Sequence, residues 1–216
     1  YNTTDCDGYL YKDLKAKNEA GYNSTMFLLE NQDLYVMGSN EYGESGIEKE
    51  KFIKEPTLVP IDMTKVKKII RSPRSSKHFM LTYFLMNDGT VKGCGKNVIN
   101  SDILETIFFT REIRDCGLTD VKDIFVTDEN VFFVKNDGIY VVGNNDVGQA
   151  GIGDVYNWQT RPTYINKLTK VKNINPKGLV DIVGYYTNYG DWQNPLDIYS
   201  NKLGQYYSTI FIYENG

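Results

Sequence analysis

One glycine-rich word, written twice, constrains this chain more than any other feature of it. Gly143-Asn144-Asn145-Asp146-Val147-Gly148-Gln149-Ala150-Gly151-Ile152-Gly153 echoes Gly38-Ser39-Asn40-Glu41-Tyr42-Gly43-Glu44-Ser45-Gly46-Ile47. Gly38, Gly43 and Gly46 share their offsets with Gly143, Gly148 and Gly151. A glycine held at a fixed offset answers a backbone need, such as positive φ or close strand approach, that other residues meet poorly. The two words lie 105 residues apart, and a pattern repeated at fixed spacing marks a chain built of stacked units.

A hairpin pattern precedes each word. Met26-Phe27-Leu28-Leu29, a turn at Asn31-Gln32-Asp33 and Leu34-Tyr35-Val36-Met37 match Val131-Phe132-Phe133-Val134, Asn136-Asp137-Gly138 and Ile139-Tyr140-Val141-Val142. The Asp-Gly pair supplies the positive φ of a tight hairpin turn. A third copy lies between them at Phe84-Leu85-Met86, Asn87-Asp88-Gly89 and Val91-Lys92-Gly93-Cys94-Gly95, its glycine tail reduced to Lys96-Asn97-Val98. Beyond the words, Pro56-Thr57-Leu58-Val59 and Pro162-Thr163-Tyr164-Ile165 suit edge strands entered through proline. Short strands are then expected at Thr64 to Ile70, Thr119 to Phe125 and Thr169 to Asn175. Thr64 and Thr169 are again 105 residues apart, two periods of about 52 each. Residues 1–216 therefore read as one all-β domain of three repeats and a partial fourth, near 14–63, 64–118, 119–168 and 169–216.

The hairpin, the glycine tail and the Pro and VxxI strands that follow resemble the regulator of chromosome condensation (RCC1) repeat family. That resemblance implies β-propeller blades of about fifty residues, usually seven to a ring. The tryptophan often found before the signature glycine is Met37 and Val142 in this chain, and the middle copy lacks the tail while keeping Gly95. Fewer than seven repeats point to part of a larger propeller, whose remainder would come from the same or another chain. The alternative is a four-bladed ring closed when Tyr9-Leu10-Tyr11 completes the last blade, at the lower limit for propellers.

Repeat four departs from the period. Between the threonine that opens a repeat and its turn glycine, Thr119 and Gly138 are 19 residues apart and Thr169 and Gly216 are 47. The insertion, residues 176–208, carries Tyr185, Tyr186, Tyr189, Trp192, Tyr199, Tyr206 and Tyr207, too aromatic for plain disorder. Rings on a long loop suit contact with protein or sugar. They also suit a satellite core over the rim, or an extra hairpin. Tyr185, Tyr186, Tyr189, Trp192 and Tyr199 are the candidate binding residues.

Catalytic and metal-binding patterns are sparse. His78 is the lone histidine, with no nucleophile elbow beside it. Asn144-Asn145-Asp146 lacks the alternating ligands and terminal Glu of a calcium loop. Cys6, Cys94 and Cys116 show neither a disulfide framework nor zinc spacing. No cofactor, metal or enzymatic activity is expected. A net charge of −4 and a pI near 5.1 weigh against nucleic acid, although Lys65, Lys67, Lys68, Arg71, Arg74 and Lys77 form one basic cluster. The chain starts without a leader pattern, as an excised or mature piece would, and no apolar run reaches a membrane span.

These features describe a non-enzymatic module that recognises a protein or cell-surface glycan, in a bacterial or phage surface or host-binding role. Its expected place is extracellular, at the cell surface or on a virion, ahead of the cytoplasm. A GTPase regulator of the guanine-nucleotide exchange type and a proteinaceous enzyme inhibitor are the alternatives that the family resemblance implies. Architecture gives the first test: Leu34 to Met37, Val91 to Cys94 and Ile139 to Val142 should occupy equivalent strands under one repeated rotation, and segments that fail to superpose would exclude a propeller.

Overall fold

The computed structural model describes residues 24–48, 51–72, 79–98, 108–154, 164–188 and 205–214. These residues form four antiparallel sheets in chain order. Blade one holds β1 (Ser24–Leu28), β2 (Leu34–Ser39) and β3 (Phe52–Leu58). Blade two holds β4 (Val66–Arg71), β5 (Met80–Met86), β6 (Val91–Val98) and β7 (Phe108–Asp115). Blade three holds β8 (Val121–Val126), β9 (Asn130–Lys135), β10 (Gly138–Asn144) and β11 (Tyr164–Lys170). Blade four shows β12 (Leu179–Asn188) paired with β13 (Gln205–Tyr213). A single 3-10 turn, Met63–Lys65, capped by Asp62, is the helical element among the described residues.

The blades stack face to face, which explains the composition of their central strands. Every residue of β5, Met-Leu-Thr-Tyr-Phe-Leu-Met, is buried, as a short apolar run covered on both faces should be. Leu81, Tyr83 and Leu85 join Val121, Ile124, Phe133 and Val142 of blade three in one core. Phe84 and Met86 join Met26, Leu34, Val36 and Ile53 of blade one in a second. A third gathers Phe125, Phe132 and Val134 of blade three with Ile182 of blade four, Phe211 packing against it. Rings meet edge to face across two of these seams, Tyr83 with Phe133 at 5.5 Å and Phe132 with Phe211 at 5.7 Å, a geometry that the ring quadrupoles favour.

Two bulges recur from blade to blade and set the register. The first interrupts the opening pair of strands between Val66 and Lys68, between Val121 and Asp123, and between Leu179 and Asp181. In blades three and four the aspartate accepts the next backbone N–H, Ile124 to Asp123 at 2.7 Å and Ile182 to Asp181 at 2.9 Å. The second falls between Val36 and Gly38, Gly93 and Gly95, and Val141 and Gly143, where the third strand of the repeat meets its outer strand. Gly38, Gly95 and Gly143 sit there at φ of 106°, 115° and 130°. β2, β6 and β10 thus occupy one equivalent position, and the segments Leu34 to Met37, Val91 to Cys94 and Ile139 to Val142 lie within them.

The opening of repeat four is corrected. Thr169 to Asn175 does not form its first strand: Thr169 and Lys170 end β11, opposite Val141 and Tyr140 of β10. The Val-x-Asp-Ile word of β8 returns instead as Leu179-Val180-Asp181-Ile182 in β12, bulge included. Two further boundaries differ. Thr64 belongs to the 3-10 turn before β4, and Pro56 lies inside the edge strand β3, which begins at Phe52. Tyr9-Leu10-Tyr11 and Pro162-Thr163 lie outside the described residues.

At Gly143 a side chain has no room as well as the wrong backbone, because a Cβ would run into the Glu129 carbonyl oxygen and lie 2.7 Å from Asn130 Nδ2. Gly143→Val and Gly38→Val should each destabilise the fold by roughly 1–3 kcal/mol, read by thermal and denaturant melts. Unchanged melting in both would remove the role assigned to the bulge.

Candidate binding surface

Each glycine word closes into a loop braced from within by two buried polar side chains. In the first, Asn40 Nδ2 donates to the Ile47 carbonyl at 2.6 Å and Asn40 Oδ1 accepts from Ser45 N at 3.0 Å. In the second, Asn145 Nδ2 donates to the Asp154 carbonyl at 2.9 Å and Oδ1 accepts from Ala150 N at 3.1 Å. Four residues further on, Glu44 Oε2 accepts from Tyr42 N at 3.0 Å and Gln149 Oε1 from Val147 N at 3.1 Å. Gly43, Gly46, Gly148 and Gly151 turn these loops at φ between 65° and 86°.

The loops then grip the next blade. Thr82 of β5 donates to the Glu44 carbonyl at 2.6 Å, and Thr209 of β13 donates to the Gln149 carbonyl at 2.7 Å. Thr82 pairs with Arg71 and Thr209 with Gly184, at equivalent positions counted from the first bulge. Arg111 of β7 adds bonds to the Asn40 and Glu41 carbonyls at 2.6 and 2.8 Å. Blade two lacks the glycine tail in its sequence, its residues 99–107 lie outside the described residues, and Val131 of blade three stands where the threonine would be. Val98 instead fills the seam between those blades.

Thr209 is also where the aromatic insertion leaves the body of blade four. In blade three the first two strands are joined by the three residues 127–129. In blade four, pairing continues past Gly184 and Thr209 through Tyr185 with Ser208, Tyr186 with Tyr207, Thr187 with Tyr206 and Asn188 with Gln205. The described flanks of 176–208, residues 179–188 and 205–208, are therefore strands that extend the pairing of blade four, anchored at the base by Thr209 and Phe211. Tyr185 and Tyr186 lie on the β12 arm. Tyr189, Trp192 and Tyr199 lie outside the described residues.

Other candidates disperse. Arg71 of the basic cluster is buried, donating to the Ser24 carbonyl at 3.1 Å and to Thr82 Oγ1 at 3.3 Å. Lys68 pairs with Asp123 at 2.5 Å, Lys67 donates to the Lys122 carbonyl at 2.8 Å, and Lys65 lies 3.4 Å from Asp62. Each of these four cations faces a partner within the chain. Arg74, Lys77, His78 and Cys6 lie outside the described residues. Burial pushes the Cys94 thiol up to about 12 and raises that of Cys116 as well, the opposite of an activated nucleophile. Among the described residues no three His, Cys, Asp or Glu side chains gather as a metal site requires, and no helix is long and apolar enough to cross a membrane.

No family model and no curated protein matches the chain. Solved structures do. Prp20p from Saccharomyces cerevisiae, described with its binding properties to Gsp1p and histones, aligns with a TM-score of 0.54 at 15% identity. That alignment covers 76% of this chain and 40% of Prp20p. Yeast RCC1 (Prp20) bound to Kap60 aligns at 0.55 and 14%, over 81% and 40% of the two chains. This chain has an RCC1-like propeller fold. Human WBSCR16 aligns at 0.52 and 18%, over 75% and 42%, so the chain spans about two fifths of the length of these RCC1-like neighbours.

The bracing residues Asn40, Asn145, Glu44, Gln149, Thr82 and Thr209 were not singled out from sequence. Their signal is positional: Asn stands two residues and Glu or Gln six residues after the bulge glycine in both words. Glu44 departs chemically from Gln149. Its Oε1 is buried without a hydrogen bond, whereas Gln149 Nε2 donates to Asp146 at 2.9 Å. Burial raises the Glu44 carboxyl above the usual range, against weaker opposing pulls from the Glu44 and Tyr42 backbone N–H groups, Arg71 and Arg111. Because the folded-state value lies above the unfolded one, the ionised carboxylate weakens the fold as pH rises through that value, and the penalty vanishes below the unfolded value near 4.3. Glu44→Gln should stabilise the protein by about 1–2 kcal/mol at pH 7, the gain shrinking towards pH 4 in a series of thermal melts. A gain independent of pH would exclude the carboxylate as its source.

Proposed function

We propose that this chain is a non-enzymatic recognition module whose partner contacts the hairpin extension of blade four. The carrying observation is that β12 and β13 keep pairing beyond the point where the equivalent strands of blade three turn, and span residues 189–204 where blade three spans 127–129. A blade needs no such extension to pack. A long excursion carried on a rigid platform is where binding residues concentrate, and Tyr and Trp supply contact area at low entropic cost. The partner is a protein, as the description of Prp20p with Gsp1p and histones supports by likeness of fold. A bacterial or phage host-recognition role, or a cell-surface glycan as ligand, rests on composition and the aromatic content alone. Regulation of a GTPase, which the RCC1 resemblance implies, is the second reading.

The double variant Tyr189→Ala/Trp192→Ala should weaken partner binding by about 2 kcal/mol or more, as loss of interface anchors does, with its melting temperature unchanged. A binding loss that tracks unfolding would identify a satellite core instead, and full affinity in a stable variant would exclude both residues as anchors. Release of labelled nucleotide from a purified GTPase separates the second reading, which requires acceleration by the wild-type chain.

A further inference from the structure

The two glycine loops share one plan and differ in the chemistry of the buried side chain that braces them. In the second loop both ends of the Gln149 amide are used: Oε1 accepts from Val147 N, and Nε2 donates to Asp146 Oδ1 at 2.9 Å. In the first, Glu44 Oε2 accepts from Tyr42 N at the equivalent place, while Oε1, which stands where Gln149 carries its amide nitrogen, is buried with no hydrogen bond. The acceptor has a counterpart too. Glu41 follows Gly38 as Asp146 follows Gly143, and its exposed side chain is one methylene longer. An amide carries a proton for that bond and an ionised carboxylate does not, so Glu44 can make it only when protonated.

The groups that face Glu44 leave Oε1 unbonded. Arg71 of β4 donates to the Ser24 carbonyl and to Thr82, and Arg111 of β7 donates to the Asn40 and Glu41 carbonyls. On β6, Lys96 lies over the Tyr42 ring at 5.6 Å, and the Cys94 thiol donates to the Glu44 carbonyl at 3.6 Å. Burial outweighs the backbone bonds and the pull of the two arginines, so the Glu44 carboxyl holds its proton above the usual carboxylate range. The same two residues fasten blade one to blade two, because the Glu44 carbonyl accepts from Thr82 and the Glu41 carbonyl from Arg111.

We propose that the first glycine loop is a proton-operated latch between blades one and two. With Glu44 protonated from solvent, its Oε1–H donates to the Glu41 carboxylate, as Gln149 Nε2 donates to Asp146, and the two carboxyls titrate as a pair. Loss of the proton breaks that bond, leaves a buried charge and loosens the loop that Thr82 and Arg111 hold. A proton bound more tightly in the folded state closes the latch fully below the unfolded value of about 4.3 and releases it as pH rises through the folded one. The second loop, with an amide in place of the carboxyl, stays closed across that range. The inference is independent of what the extension of blade four binds.

Amide hydrogen exchange followed by NMR on the full chain, with each rate divided by the intrinsic rate at that pH, tests this. The Tyr42 and Ser45 amides, which donate to Glu44 and Asn40, should gain about tenfold in protection between about pH 7.5 and about pH 4.5. Val147 and Ala150, their counterparts in the second loop, should not change. Glu44→Gln should show the higher protection at every pH. Glu41→Ala, which alters an exposed side chain, should cut the gain to about twofold or less, and adding it to Glu44→Gln should lower that variant's protection. First-loop protection independent of pH in the wild type, an equal gain in the second loop, or a full gain in Glu41→Ala would each overturn the proposal.

Discussion

A middle blade of this protein has no face for water, and most of its sequence follows from that. β5 and β9 are sandwiched between neighbouring sheets, so both sides of each strand must be apolar and shaped to fit. Tyr83 and Phe132 point onward along the row while Phe84 and Phe133 point back, and each meets a side chain of alternate origin. Burying one such ring contributes about 1.5–3 kcal/mol, repeated at every seam. No sheet has a core of its own: the cores lie between sheets, and a single blade in isolation would expose both faces.

Directional bonds then decide how far each blade rotates against the next. Apolar faces alone tolerate sliding, whereas a threonine hydroxyl on a loop carbonyl does not. The first and second glycine loops make this bond to Thr82 and Thr209. After blade two, where the sequence has lost the glycine tail, Val131 stands in place of the threonine, and Val131 and Val98 belong to the apolar core of that seam. A threonine hydroxyl at that buried position without an acceptor would be an unpaired polar group.

The same joint holds the base of the extended pairing of blade four. Its base is held by Thr209 on the preceding loop and by Phe211 against Phe132. Tyr185 and Tyr186 begin the excursion in paired strand. Aromatic content alone could not separate a loop from a hairpin, because neither composition nor spacing records which residues pair.

Repetition was legible in the sequence because it is local: bulge glycines, Asp-Gly turns and period-two strands are requirements of the backbone within a few residues. Hence the equivalence of β2, β6 and β10 is written in the sequence itself, and with it the RCC1-like repeat. What tertiary structure alone decided was competition between similar words. Thr169-Lys170-Val171-Lys172-Asn173-Ile174 reads as an opening strand, yet β10 claims Thr169 and Lys170 for the edge of blade three, and Val171 N donates to the Ile139 carbonyl at 2.8 Å. Leu179-Val180-Asp181-Ile182 opens blade four instead. Arg71, one of six basic residues close in sequence, is likewise taken from the surface into a seam by Ser24 and Thr82. Pairing partners and burial are set by contacts between residues far apart in the chain, and a linear pattern carries no record of which contact wins.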